Sequence, residues 1–233
     1  MNKEVFQETL KNNPFSSLND LVFNTILQDI VTIGLTPGEK ISSLHIANQL
    51  GVSRSPVKIA IERLLSEKLI IRSENGNLNV APLSKEDHLY ICETRKIIEG
   101  SASFYAAKRI NNVELKELEK ILKKADNILL SHIDSNLNNI GNLIFLDIQF
   151  HSKILNACRN PYIIEMYDNI KNRVQRYSFY QKYRYKHNLM STDFFYENNR
   201  ERYAILKAIE NGLSAIAQSE MEFHIDKMKW NFS

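Results

Sequence analysis

The sequence predicts a mainly α protein in which a small unit of three helices and a hairpin precedes an all-helical bundle of six to seven helices. Three observations predict it. Isoleucine and leucine recur at helical spacing along most of the chain, glycine and proline number 7 and 5 in 233 residues, and an Asn75-Gly76 turn signal separates two short extended runs.

Composition narrows the class. With 43% hydrophobic and 24% charged residues, the chain can bury a proper core. A formal net charge of +3 excludes a protein that coats nucleic acid nonspecifically, so a nucleic-acid partner must be met by charge gathered on one surface. Cys92 and Cys158 belong to no Cys-x-x-Cys pair and fall in helical patterns, which reads as two buried thiols in a reducing interior. The leading residues lack the apolar segment of a signal peptide, and apolar runs elsewhere are short. The expected location is the cytoplasm, with no membrane partner.

Residues 1–17 read as an arm or a short extra helix. Leu21, Val22, Ile26, Ile30 and Ile33 then define a helix from Leu18 to Ile33, which Gly34, Pro37 and Gly38 stop. Leu44, Ala47 and Leu50 share one face of a second, short helix ended by Gly51. Ser53 is a suitable N-cap for the third, and Pro56 is tolerated in its first turn, where a missing N–H does no harm. Val57, Ala60, Ile61, Leu64 and Leu65 are its buried stripe, with Lys58 and Arg63 off it. Leu69–Arg72 and Leu78–Val80 form the hairpin around Glu74-Asn75-Gly76-Asn77, because Asn and Gly both tolerate positive φ. Ala81 to Ser84 is a linker, and Ser84 with Asp87 resembles a capping box. Further helices are expected over 85–110, 112–131, 137–158, 161–185, 194–211 and 213–230. The resulting division is an arm at 1–17, a head at 18–81 and a helical domain at 84–230.

Three helices and a hairpin are the outline of a winged helix-turn-helix. Its centre is IANQLGVSRSPVKIAIERLL, where two helices meeting at Gly51-Val52 leave the first turn of the second exposed. Arg54 is the expected reader of a base or phosphate, since its donors bracket guanine O6/N7 or a phosphate. Ser53 and Ser55 suit phosphate contacts, Lys58 extends the same face one turn on, and Asn77 and Asn79 offer weaker hairpin contacts. Within residues 40–72 the basic residues Lys40, Arg54, Lys58, Arg63, Lys68 and Arg72 outnumber Glu62 and Glu67, although acids elsewhere in the first eighty residues cancel that surplus. A small helical domain with merely solvated arginines is the bland alternative.

From about Leu18 to Met228 the sequence resembles GntR-type transcriptional regulators of the FadR-like group. The head motif TPGEKISSLHIANQLGVSRSPVKIAIERLLSEKLI carries the resemblance. It implies that Ser53, Arg54 and Lys58 face DNA and that Gly76 is the wing glycine. Lys58 stands where relatives usually have arginine, Ser43 where many have glutamate, and Lys68 where glycine is usual before the wing.

In the helical domain, Asp147 and His151 stand at i,i+4 and point the same way, and His224 lies deep in another helical pattern. These three offer oxygen and nitrogen ligands suited to zinc, nickel or manganese, although a pair at i,i+4 is also an ordinary hydrogen-bonded pair. His45, His88, His132 and His187 read as surface or loop residues. The segment IFLDIQFHSKILNACRNPYI resembles the D-x-x-x-H block of the metal-binding C-terminal domain, termed FCD, in many FadR-like regulators, and AIENGLSAIAQSEMEFHIDKM resembles its terminal block. The resemblance implies Asp147, His151 and His224 as metal ligands, with Arg202 in place of the fourth, a histidine. A guanidinium offers no lone pair and repels a cation. Either Arg202 swings away from a three-ligand metal site, or it pairs with Asp147 and no cofactor is bound. An arginine-lined pocket suits an anionic effector in both cases. Arg95, in CETRKIIEG, resembles the family's effector-binding arginine, with Glu99 four residues on; an intrahelical ion pair is the alternative.

The run RVQRYSFYQKYRYKH, from Arg173, reads as a helix with aromatics packed on one side and cations toward solvent, against contact with single-stranded nucleic acid or lipid. The function these features imply is a homodimeric DNA-binding transcription regulator on a palindromic operator, controlled by a small organic acid or sugar acid and not an enzyme. The alternatives are a metal-dependent hydrolytic enzyme and a ligand-free architectural nucleic-acid-binding protein.

Overall fold

A computed structural model describes residues 3–12, 17–131 and 137–228. The chain divides into two compact units, Met1–Leu83 and Ser84–Ser233.

The first unit contains α1 (Lys3–Asn12), α2 (Leu18–Val31), β1 (Lys40–Ile41), α3 (Ser43–Leu50), α4 (Arg54–Ser66), β2 (Ile70–Arg72) and β3 (Leu78–Val80). Val22, Ile26 and Ile30 recur at i, i+4 and i+8 on α2, and Val57, Ala60, Ile61 and Leu64 form the facing stripe of α4, so the two helices seal the core between them. Each fully buried aliphatic side chain of this kind contributes about 1.5–3 kcal/mol. α3 closes at Gly51, whose φ of 70° is the left-handed geometry that glycine adopts without cost. The sheet has the order β1-β3-β2, all antiparallel, with Ile70 opposite Val80 and Arg72 opposite Leu78. Gly76 turns the hairpin at φ 75°. β1 was not expected: at two residues, Lys40 and Ile41 are too short a run to show alternation.

α1 has one buried face. Phe6 is 2% exposed, and Gln7 Nε2 donates to Leu50 O at 2.7 Å, which satisfies a carbonyl at the end of α3.

The second unit is helical throughout its described residues: α5 (Lys85–Arg109), α6 (Asn112–Leu130), α7 (Leu137–Ala157), α8 (Pro161–Asp168), α9 (Lys171–Lys186), α10 (Asp193–Glu210) and α11 (Ser214–Lys227). α5 packs most extensively on α11 and also meets α7, α8 and α10. Leu118 and Leu122 of α6, Ile144 and Phe150 of α7, Ile205 of α10 and Met221 of α11 meet in one core. Three helix starts, those of α5, α6 and α8, carry side-chain caps. The Ser84 hydroxyl accepts from Asp87 N, Asn111 with Glu114 completes a capping box, and Asn160 caps α8 ahead of Pro161. The helix expected over 161–185 is two, α8 and α9. The Asn169 amide donates to Glu165 O at 3.0 Å, and Ile170 N turns to Tyr167 O in a tighter i→i+3 bond, so the chain bends without a glycine or proline. No helix of the described residues is long and apolar enough to cross a membrane.

Candidate nucleic-acid interface and buried ligand site

In the first unit, burial of Pro56, Val57, Ala60 and Ile61 fixes which face of α4 turns outward. Ser53, Arg54, Ser55 and Lys58 are all exposed, as are Gly76 and Asn77 at the hairpin tip. Arg54 Nη2 reaches Ser43 Oγ at 3.5 Å, so the first turns of α3 and α4 share one surface. Ser53 occupies the N-cap position with extended geometry, φ −69° and ψ 164°, yet its hydroxyl makes no capping bond. That corrects the expected cap and leaves the oxygen facing solvent. Two other candidates are committed to the fold. Asn79 Nδ2 donates to Gly38 O at 3.0 Å, and Arg63 bonds Asp20 at 2.7 Å while lying 3.7 Å from the centre of the Phe23 ring.

In the second unit, α5, α7, α10 and α11 bring six buried charged or imidazole side chains into one cluster, with half-buried Glu201 at its edge. Arg95 grips Glu99 side-on, with Nε to Oε1 at 2.5 Å and Nη2 to Oε2 at 3.3 Å. The other side of that carboxylate meets His151 Nδ1 at 2.5 Å. Burial alone would raise the Glu99 pKa, but Arg95 and His151 outweigh it and hold the carboxyl at about 2. His224 Nδ1 meets Glu201 Oε2 at 2.9 Å. With both Nδ1 atoms engaged by carboxylates, the two Nε2 atoms face each other at 3.3 Å, and burial lowers the His224 pKa despite Glu201. Asp147 Oδ1 lies 3.8 Å from His151 Nε2 and 3.5 Å from Arg202 Nη1.

Arg202 is 2% exposed. Its Nη2 donates to Asn199 Oδ1 at 2.9 Å, and the Asn199 amide donates to Asp126 Oδ1 at 2.6 Å, whose other oxygen accepts from Tyr203 OH at 2.6 Å. Nε and Nη1 have no hydrogen-bond acceptor among the described residues, because the Asp147 contact has ion-pair distance without hydrogen-bond alignment. The two buried arginines therefore differ. Glu99 more than offsets burial at Arg95 and raises its pKa, whereas burial at Arg202 outweighs Asp147 and Asp126 and lowers it. Arg202 is a buried cation short of partners.

A model of the FCD domain matches residues 90–227, and one of bacterial regulatory proteins of the gntR family matches residues 18–79. The chain belongs to the gntR family. This FCD-type chain is 26% identical over 145 residues to the Nta operon transcriptional regulator of Aminobacter aminovorans, an alignment covering 62% of the chain and 66% of that protein. It is 29% identical over 142 residues to the gluconate operon transcriptional repressor of Bacillus subtilis (strain 168), covering 61% of the chain and 56% of that protein. The chain thus spans less than two thirds of either curated relative. Its fold is similar to that of E. coli McbR/YncC, at a TM-score of 0.74 and 20% identity over 91% of this chain and 95% of that one.

In the FCD domain the candidate metal donors converge: one ligand atom each from Asp147, His151 and His224 lies within 4.8 Å of the others. The Nδ1–carboxylate bonds orient both imidazoles as metal sites require. The remaining corner does not fit a divalent ion. Arg202 presents positive charge to the same Asp147 oxygen such an ion would need, and its anchorage to Asn199 opposes withdrawal. Charge balance agrees. Arg95 and Arg202 already offset two of the three carboxylates, Glu99, Asp147 and Glu201, so a divalent ion leaves an excess positive charge.

Several FCD residues differ from their expected places. His88 is buried in α5, not on the surface: its ring lies 4.8 Å from that of Tyr177, and burial together with Arg95 and Arg184 lowers its pKa to about 4. With Arg95, Ser178, Gln181 and Met228 it lines a cavity of about 10 Å³, which suits a water molecule. Arg176 of α9 is buried as well, and Tyr183 is exposed, so the division of aromatics inward and cations outward fails on this helix. His132 lies outside the described residues. Glu201, Asn199 and Asp126 were not anticipated. Their partners sit on other helices or on a different turn, and no spacing in the sequence links Glu201 to His224.

Proposed function

We propose that the protein is a homodimeric, cytoplasmic transcription regulator that binds a two-fold-symmetric DNA site through Ser53, Arg54, Ser55 and Lys58, with Gly76 and Asn77 at the wing. One observation carries the DNA half of this reading. The first turn of α4 is exposed, with Arg54 and Lys58 outward and adjacent to the start of α3, a geometry suited to a major groove. Two heads acting together compensate for the modest net charge of +3. Gene-regulatory roles of the Nta and gluconate operon proteins support the same class.

The FCD domain, on this proposal, binds a small carboxylate or sugar-acid effector at Arg202 without a divalent ion. The buried, under-partnered guanidinium supports it, since Nε and Nη1 hold donors that an anion would satisfy. Asp147, His151 and His224 then shape and neutralise the site, and Arg95 acts through Glu99 to hold His151. A metal-dependent hydrolase would need the corner that Arg202 fills. Titrating a DNA duplex bound by the full chain with a panel of mono-, di- and sugar carboxylates tests the effector half. At least one acid should shift affinity in wild type and not in Arg202→Leu, because a ligand acts only through different affinities for two states. A panel that leaves wild type unmoved while zinc, nickel or manganese alone acts at Asp147 overturns the Arg202 assignment.

A further inference from the structure

The DNA-facing residues named above all lie at the start of α4 and in the hairpin, and none lies in α1. Its placement suggests one. α1 is held at the corner between α3 and α4: Phe6 is buried, and Gln7 Nε2 bonds Leu50 O, the last residue of α3. Lys3, one turn before Gln7 on the same face, lies over the corner itself. A Cβ placed on Gly51 would stand 3.2 Å from Lys3 Cε and 3.7 Å from Lys3 Nζ. Arg54 is three positions on from Gly51, so the ammonium is within about 15 Å of the Arg54 backbone even if the chain between them were straight. Duplex DNA carries a negative charge about every 1.7 Å of its axis, so a groove that accepts the first turn of α4 brings phosphates past this corner.

We propose that α1 is an additional DNA-binding element, in which Lys3 meets a backbone phosphate flanking the recognition turn. The inference rests on the DNA-binding reading of α4. α1 also carries Glu4, Glu8 and Lys11 and has no net charge, so its contribution comes from where Lys3 is placed and not from bulk attraction. Such a contact positions the head without reading sequence, because phosphate carries no base identity.

A rival role exists for the same side chain. The corner is the C-terminal end of α3, where a cation interacts favourably with the helix dipole. The two roles separate in one experiment on the full chain. Binding of a labelled duplex, enriched by the protein from a random pool, is measured across a salt series for wild type, Lys3→Met and Lys3→Arg, with thermal melting of each. The proposal expects Lys3→Met to reduce the slope of log K against log[salt] by about 1, to leave the enriched sequence unchanged, and to melt like wild type, with Lys3→Arg restoring the slope. An unchanged slope in Lys3→Met overturns it, and a lower melting temperature with that unchanged slope assigns Lys3 to the α3 terminus instead. Arg54→Ala distinguishes the two levels of failure. If its loss of preference stands while Lys3→Met is silent, the inference about α1 fails alone; if wild type itself enriches nothing, the DNA reading fails with it.

Discussion

Replacing Arg202 by histidine should turn the FCD domain into a divalent-metal site. The substitution removes a cation and supplies a third imidazole, as a fourth ligand, beside Asp147, His151 and His224, whose ligand atoms already lie within 4.8 Å of one another. The magnitude follows from the Asp147 contact. Arg202 Nη1 is 3.5 Å from Oδ1, so a divalent ion bound to that oxygen would stand about 5 Å from the guanidinium. At an effective dielectric constant of about 20 the repulsion is roughly 7 kcal/mol, more than four orders of magnitude in affinity. Removing the arginine also leaves Arg95 alone against the carboxylates of Glu99, Asp147 and Glu201, a deficit of two charges that one divalent ion balances. Metal analysis after dialysis, followed by calorimetric titration with zinc, nickel and manganese, reads the effect. Arg202→His should retain about one equivalent, and Asp147→Ala in that background should abolish retention. Wild type holding a full equivalent as tightly as Arg202→His would show that Arg202 does not compete for the site, and the reasoning would fail.

Other consequences are equally direct. Arg54→Ala should weaken binding to a selected duplex about thirtyfold and relax its sequence preference, whereas Lys58→Ala should reduce the salt slope by about 1, both read by fluorescence anisotropy. Lys68 adopts φ 58° just before β2, so Lys68→Gly should stabilise the head by about 1 kcal/mol in urea unfolding, and a loss of stability would contradict that strain. His88 is held neutral, with a pKa of about 4 against an ordinary 6.5. Its contribution is therefore fully present above pH 6.5 and lost as pH falls toward 4. Between pH 7 and 5 wild type should lose about 2 kcal/mol more than His88→Leu, and parallel pH profiles would refute the assignment.

Much of this architecture is legible in the residues because it is set locally. The Val57, Ala60, Ile61 and Leu64 stripe fixes which face of α4 is buried and so leaves Arg54 and Lys58 outside. Asn75-Gly76 sets the wing, and the i,i+4 spacing of Asp147 and His151 puts both on the inner face of α7. What was not legible depends on distant partners. His88 has no neighbour in sequence that reveals its burial against Tyr177, 89 positions later, and Glu201 finds His224 on the next helix. Asn79 resembles an exposed hairpin amide until β1 pairs with β3 and brings Gly38 within its reach. The division of α8 from α9 shows as an i→i+3 turn from Ile170 N to Tyr167 O, a local tightening that apolar periodicity does not register. The substitution at Arg202 is visible in sequence, but its outcome required the Asn199–Asp126 anchorage, which joins α10 to α6.

Selection of duplexes from a random pool by the full chain, followed by sequencing and by binding of the enriched and scrambled duplexes across a salt series, tests the central claim most directly. A DNA-reading first turn of α4 predicts enrichment of a two-fold-symmetric motif that wild type binds at least a thousandfold more tightly than scrambled DNA and that Arg54→Ala no longer enriches. Equal affinity for both duplexes at every salt concentration would contradict it.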